Sequence, residues 1–197
     1  MLILITAEQS IEMEADILKT ICDTESCTIH VRKPHLTKDG LRSWIEQFDT
    51  SVRKKMVLHQ HHDLAMEYST GGIHFKEAER TVLGEALDDQ IHSYCDQGLS
   101  VSSSFHATAS LEESNGFDYV LLSPVFDSIS KNNYKGKGFD VSGIRQKVVG
   151  LGGVSVKNLS QLKKDGFSGA AVMGAVWKSD HPADAFSQIK EAYDNAF

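Results

Sequence analysis

The sequence predicts an α/β protein folded as a compact (β/α)8 TIM barrel, a single domain over residues 1–197, and three observations predict it. Eight short apolar runs recur along the chain: Leu2–Ile5, 27–31, Met56–Leu58, 73–75, 99–102, Tyr119–Leu122, Val148–Leu151 and 170–173. Each is too short for a helix and bounded by turn residues, as expected of strands buried on both faces. The segments between them carry helical spacing and helix-end signals. The chain has 197 residues, enough for one domain that buries roughly 70% of its unfolded surface. An open doubly wound sheet shares the strand–helix alternation, and the count of eight favours the closed barrel.

The helical segments are read in chain order. Ile17, Leu18 and Ile21 give residues 11–22 helical spacing. Thr37 stands where it can cap a helix over 37–48, whose Leu41, Trp44, Ile45 and Phe48 fall at i, i+3, i+4 and i+7. Asp63 opens a short helix closed by Gly71-Gly72. A helix over 88–97 stops at Gly98, and a short one covers 108–113. Ser155 stands where it can cap a helix running to Lys164 and ended by Gly166. Pro182 opens the last helix, to about residue 196. The basic, glycine-rich KNNYKGKG at 131–138 reads as a lid over a ligand.

Composition narrows the function. The net charge of −7 argues against non-specific nucleic-acid binding and against an anionic membrane surface. An anionic ligand therefore needs a local cluster of positive groups. Cys22, Cys27 and Cys95 form no CxxC pair, as expected of reduced thiols. No apolar segment approaches the ~20 residues of a membrane span. The opening MLILIT runs into a strand pattern without a basic leader, so a cytoplasmic location is expected. A homo-oligomer is left open.

In a barrel the functional groups gather at the C-terminal ends of the strands, with phosphate often held after the seventh and eighth. Those ends here read Gly152-Gly153 and Met173-Gly174-Ala175, where glycines let backbone N–H groups approach an anion. After the sixth strand comes SPVFDSISK, in which Pro124 leaves the ladder and Ser128, Ser130 and Lys131 offer hydroxyls and an ammonium. The second strand ends His30-Val31-Arg32-Lys33, and period 2 turns His30 and Arg32 to one side, toward the mouth. Arg32 supplies a planar donor fork suited to a diphosphate. The third strand ends His59-Gln60-His61-His62, and His74 and His106 follow the next two. Imidazoles so placed suit proton transfer, contact with a ring-shaped substrate or transition-metal binding, although no HxxxH or HExxH spacing occurs. Ser100, Ser102, Ser103 and Ser104 offer hydroxyls without a GxSxG elbow to mark a nucleophile.

These motifs together resemble the thiamine phosphate synthase family and its sister thiazole tautomerases over nearly the whole chain. The family's GADYVGxGPVFxTxTK is similar to 116–131, with serine for threonine at Ser128 and Ser130. Its VAIGGI resembles 149–154, its VVSAI resembles 172–176 with Gly174 for serine, and its GVHLGQED resembles 72–79. The resemblance implies a (β/α)8 barrel that joins hydroxymethylpyrimidine diphosphate to thiazole phosphate, releasing diphosphate with Mg2+. It assigns Arg32 and Lys131 to the leaving diphosphate, and Ser128, Ser130, Gly152, Gly153, Met173 and Gly174 to the acceptor phosphate. His30, His59 and Ser104 fall to substrate contact, with Lys33 where a family lysine is absent or moved. The family's QxRxK and NDRxDLA are altered here: His30 replaces glutamine, and Gln60 stands where a magnesium aspartate is expected. Gln60 with Glu79 (or Glu77) would form the metal site, although an amide oxygen is a poorer magnesium ligand than a carboxylate. The tautomerase alternative, an isomerase, places its catalytic histidine where this chain has Pro124, so its base would be His106, His59 or His30. A non-catalytic phosphate-ligand binder is the third reading.

Overall fold

The computed structural model describes residues 1–127 and 135–197. Eight parallel strands close on themselves in sequence order, β1 to β8, with β8 pairing back onto β1. The strands are β1 (Leu2–Ile5), β2 (Thr28–Val31), β3 (Met56–Leu58), β4 (Gly72–Phe75), β5 (Ser100–Phe105), β6 (Tyr119–Leu122), β7 (Val148–Leu151) and β8 (Gly169–Val172). The closed barrel is therefore the fold, and the open-sheet alternative falls away. Among the described residues no helix is long and apolar enough to cross a membrane.

Helices α1 (Glu14–Thr24), α2 (Lys38–Ile45), α3 (Thr50–Arg53) and α4 (Leu64–Glu67) follow the first three strands. They are succeeded by α5 (Glu77–Leu83), α6 (Leu87–Asp96), α7 (Leu159–Lys164), α8 (Gly174–Trp177) and α9 (Pro182–Ala196). Thr37 caps α2 as the sequence predicts, its hydroxyl accepting from the Gly40 N–H at 3.2 Å. The helix stops at Ile45 rather than Phe48, because Asp49 caps the separate turn α3 by accepting from Val52 N–H. Asp63 makes no side-chain cap and pairs with Lys38 instead. Ser155 does not start α7. Asn158 takes the Ser155 N–H and donates to the Gly153 carbonyl, both at 2.9 Å, so 155–158 is spent as a brace. Helix α5 buries no residue, so it carries no apolar stripe to betray it in sequence. Strand β5 runs on through a serine-rich stretch of low strand propensity, because it is paired on both sides by β4 and β6.

Register makes the barrel interior asymmetric. One row runs from Ile3 and Ala171 through the pairs Ile5↔His30, His30↔Val57, His74↔Ser102, Ser102↔Tyr119 and Leu121↔Val149 to Leu151↔Ala171. Residues level with one another in a parallel ladder share a face, so this row looks inward. On β1, β6, β7 and β8 it is apolar, and Ile3, Ile5, Leu121, Val149 and Ala171 pack as a cluster with Tyr119. On β2 to β5 it carries His30, His59 and His74 with Ser102 and Ser104. A larger core fills the space between the outer strand faces and the helices, with Leu18, Leu41, Ile45, Phe105 and Phe186 at 1% exposure or less.

Lys33 belongs to this framework. Its ammonium donates to the Ala7 carbonyl at 2.7 Å and pairs with Glu14, while the other Glu14 oxygen accepts from Ala7 N–H at 3.0 Å. Both side chains are buried, and they tie the β1–α1 loop to the end of β2. The expected substrate-binding role of Lys33 is thus corrected: the ammonium is turned into a structural ion pair and does not line the mouth of the barrel.

Candidate functional site

A cavity of about 440 Å3 opens at the C-terminal ends of the strands, the size of an ordinary small-molecule site. Its position follows from parallel strands that all end at one rim.

One wall is glycine. After β7, Gly152 and Gly153 adopt φ of 98° and 68°, a conformation in which side chains other than hydrogen are disfavoured. A Cβ on Gly153 would lie 2.3 Å from the Asp127 carbonyl oxygen. The segment after β6 closes against this turn, with Val125 N–H donating to Leu151 O and Phe126 N–H to Gly152 O. Next to it the chain leaves β8 through Met173 and Gly174 into the single turn α8, held by Trp177 Nε1 donating to Ile5 O at 2.7 Å. Gly152, Gly153, Met173 and Gly174 all line the cavity.

The opposite wall is charged. Arg32 lines it, anchored through its backbone N–H to Thr6 Oγ1 at 2.9 Å, and its guanidinium pairs with Glu8, itself a lining residue. Lys76 and Glu77 line the same side. Among the described residues, Arg32 and Lys76 are therefore the cations that face the cavity, and Glu8 and Glu77 the carboxylates. Neither Glu8 nor Lys76 stood out in sequence, because each is one charge in a polar loop until the fold brings it to the rim. Glu8 competes with an anionic ligand for Arg32. Replacing it, Glu8→Gln, is expected to tighten binding of inorganic diphosphate up to about fivefold, since a half-exposed ion pair contributes up to ~1 kcal/mol. Isothermal titration checks this, and unchanged affinity refutes it.

The floor is imidazole. His59 and His74 line the cavity, with rings stacked 4.2 Å apart. His30 lies beneath them, fully buried, its Nδ1 2.9 Å from His59 Nε2 and its Nε2 2.7 Å from the Tyr119 hydroxyl. Burial pushes the His30 pKa down to about 3, and burial reinforced by neighbouring positive groups holds His59 and His74 well below the ordinary imidazole range. All three are neutral near pH 7.

His106 stands at the rim with Ser104. Its Nδ1–H donates to the Ser123 carbonyl at 3.0 Å, with Ser123 Oγ at 3.2 Å, and its Nε2 lies 3.9 Å from a Glu77 oxygen. That bond fixes the tautomer and turns the Nε2 lone pair outward.

Of the residues singled out in sequence, Arg32, His59, Ser104, His106, Gly152, Gly153, Met173 and Gly174 meet around this one cavity. His30 does not line it. Lys33 is in its ion pair. Gln60 is also placed elsewhere: its Nε2 donates to the Lys33 carbonyl at 2.6 Å and to that of Leu36 at 3.3 Å. Glu79 accepts the Lys76 N–H at 2.8 Å as the cap of α5. The expected Gln60–Glu79 magnesium pair is corrected on this ground. Both side chains are committed to backbone groups, and neither reaches the cavity. Glu77, two residues earlier, is the carboxylate that does. Ser128, Ser130 and Lys131 lie outside the described residues, as does most of the expected lid.

Comparison with known proteins agrees with this architecture. The family model described as thiamine monophosphate synthase matches residues 2–176. A thiamine-phosphate synthase of Listeria monocytogenes is 25% identical over 156 residues, covering 74% of this chain and 69% of that protein. One from Pasteurella multocida is 30% identical over 140 residues, covering 68% and 61%. Matched stretches elsewhere span only 58–62% of the curated relatives' length. The crystal structure of a thiamine phosphate pyrophosphorylase from Bacteroides thetaiotaomicron superposes with a TM-score of 0.76 at 22% identity, covering 100% of this chain and 98% of that one. With the family model matched over residues 2–176, nearly the whole barrel and both glycine turns, this chain belongs to the thiamine monophosphate synthase family.

Proposed function

We propose that the protein is a thiamine phosphate synthase-type transferase, joining hydroxymethylpyrimidine diphosphate to thiazole phosphate. The observation that carries this reading is one cavity walled by glycine turns on one side and by Arg32 and Lys76 on the other, which suits two anionic groups at once. The backbone at Gly152, Gly153 and Gly174 would receive the acceptor phosphate, as small residues at a βα turn allow. Arg32 and Lys76 would hold the diphosphate, with Lys131 as the family resemblance has it. The C–O bond from the pyrimidine methylene to the diphosphate breaks with its electron pair on the leaving oxygen, and the thiazole nitrogen lone pair forms the new C–N bond. Arg32 and Lys76 stabilise the charge that develops on the diphosphate. His59 and His74 form an apolar-edged floor for the aromatic rings, and Ser104 contacts them from β5.

The family implies Mg2+. Magnesium demands hard oxygen ligands and is held by one or two carboxylates together with substrate phosphates. With Gln60 and Glu79 spent elsewhere and Glu8 paired with Arg32, Glu77 is the lining carboxylate that would hold the ion together with the substrate phosphates, where it would offset charge on the diphosphate. Purified protein given both substrates, with and without magnesium, is expected to form thiamine phosphate. No product at high enzyme concentration refutes the reading, and tight thiazole phosphate binding without turnover points to the non-catalytic binder.

The isomerase reading is favoured by one observation, the outward lone pair of His106 beside Glu77, which is the geometry of a general base. It predicts metal-independent turnover of a thiazole phosphate carboxylate that disappears in His106→Ala.

A further inference from the structure

Three imidazoles in the heart of a barrel are costly to bury. The inward row of a (β/α)8 barrel is ordinarily branched aliphatic, and polar groups taken from water need their partners supplied by the protein. Here the same row that is aliphatic on β1, β7 and β8 becomes histidine on β2, just past the end of β3, and on β4. One ring nitrogen from each of His30, His59 and His74 comes within 4.8 Å of the others. This cluster is not used by the two-phosphate reading beyond its upper surface.

The hydroxyls around the cluster orient it. Ser102 donates its O–H to the Ile73 carbonyl at 3.2 Å, so its oxygen accepts from His74 Nδ1–H at 2.9 Å, leaving the His74 Nε2 lone pair free to ligate. The Tyr119 hydroxyl, level with Ser102 in the β5–β6 register, lies 2.7 Å from His30 Nε2. In the tautomer in which Tyr119 accepts from His30 Nε2–H, the His30 Nδ1 lone pair faces His59. Outer ring nitrogens donating to oxygen while the inner ones converge is the arrangement by which proteins orient metal-ligating histidines.

We propose that His30, His59 and His74 form a binding site for a transition-metal dication of the zinc class at the floor of the cavity. Imidazole is the donor suited to zinc, cobalt, nickel and copper, and a poor one for magnesium or calcium. Three histidines leave one coordination position open, as in zinc sites that act on a ligand. The cavity lies above His59 and His74, so it provides the entry path, and the open position faces the space in which an anionic ligand sits. Tetrahedral zinc at Zn–N about 2.0–2.1 Å spaces its nitrogens ~3.3 Å apart. To admit the ion, the His30–His59 pair, hydrogen-bonded at 2.9 Å, opens by a few tenths of an ångström, the wider separations within the 4.8 Å cluster close, and the stacked His59 and His74 rings turn toward each other. His59 then carries its hydrogen on Nδ1. Among the described residues no carboxylate joins the three ligands, so an anion at the open position is what neutralises the ion.

The test is titration of tag-free, chelator-treated protein with Co2+, read by the visible d–d bands that distinguish tetrahedral cobalt from cobalt on surface histidines. One equivalent with an intense tetrahedral spectrum is expected, lost in His59→Gln and in His74→Gln. Tyr119→Phe and Ser102→Ala keep every ligand and remove the orienting hydroxyls. They are expected to weaken cobalt binding 10–100-fold, which keeps the test decisive if a histidine variant does not fold. The proposal is overturned if the wild-type protein shows no tetrahedral spectrum, or if that spectrum survives unchanged in the folded variants.

Discussion

Lowering the pH of metal-stripped protein from 6.5 to 5 is expected to lower its stability, by about 2 kcal/mol from His30 alone, with His59 and His74 acting in the same direction. In the unfolded chain each histidine titrates near pH 6.5. In the folded protein burial holds His30 neutral down to about pH 3, and His59 and His74 stay neutral well below 6.5 for the same reason, aided by neighbouring positive groups. The folded pKa values are depressed, so this contribution is fully present above pH 6.5 and lost as pH falls toward the folded values. Between those limits the unfolded state binds a proton at His30 that the folded state does not, a slope approaching about 1.4 kcal/mol per pH unit, and the depressed His59 and His74 steepen it. Domains have only about 5–15 kcal/mol in hand, so a loss of this size is a large share of the total. Urea midpoints measured across this range check it. A midpoint that does not move between pH 6.5 and 5 refutes it, and a folded His74→Gln variant is expected to show a shallower slope.

Lys33→Met is expected to cost about 3–5 kcal/mol, the effect of leaving a buried charge without its partner. The size follows from the geometry: Glu14 is as deeply buried as Lys33, and the lysine also holds the Ala7 carbonyl. For a chain of this length the melting temperature falls by about 2–4 °C per kcal/mol. Adding Glu14→Gln removes the stranded charge while its amide oxygen still accepts from Ala7 N–H. Much of the loss is therefore expected to return in the double variant. Differential scanning calorimetry of the single and double variants decides it. Equal melting temperatures for Lys33→Met and wild type would mean that the pair contributes nothing.

Lys33 also shows where sequence and structure part. It sits one residue after Arg32, both are cations at the end of β2, and nothing local distinguishes them. Alternation across the strand sends Arg32 to the cavity rim. Lys33 goes to a carboxylate supplied from the start of α1, nineteen residues away. Gln60 and Glu79 teach the same point. Each has the right chemistry near the right strand end, and each is consumed by a backbone partner that only the loop geometry brings within reach.

By itself the sequence determined the barrel, because eight apolar runs of strand length and the turns between them are local properties, set by period and by glycine and proline. It also determined the glycine wall: Gly152, Gly153 and Gly174 mark tight turns whatever surrounds them. Tertiary structure alone decided which charges face the cavity and which hold the frame together. It alone joined His30, His59 and His74, residues from three strands that no spacing pattern links. Charge partners and ligand clusters are set by register and loop path over long separations, and a one-dimensional pattern of residue types does not carry that information.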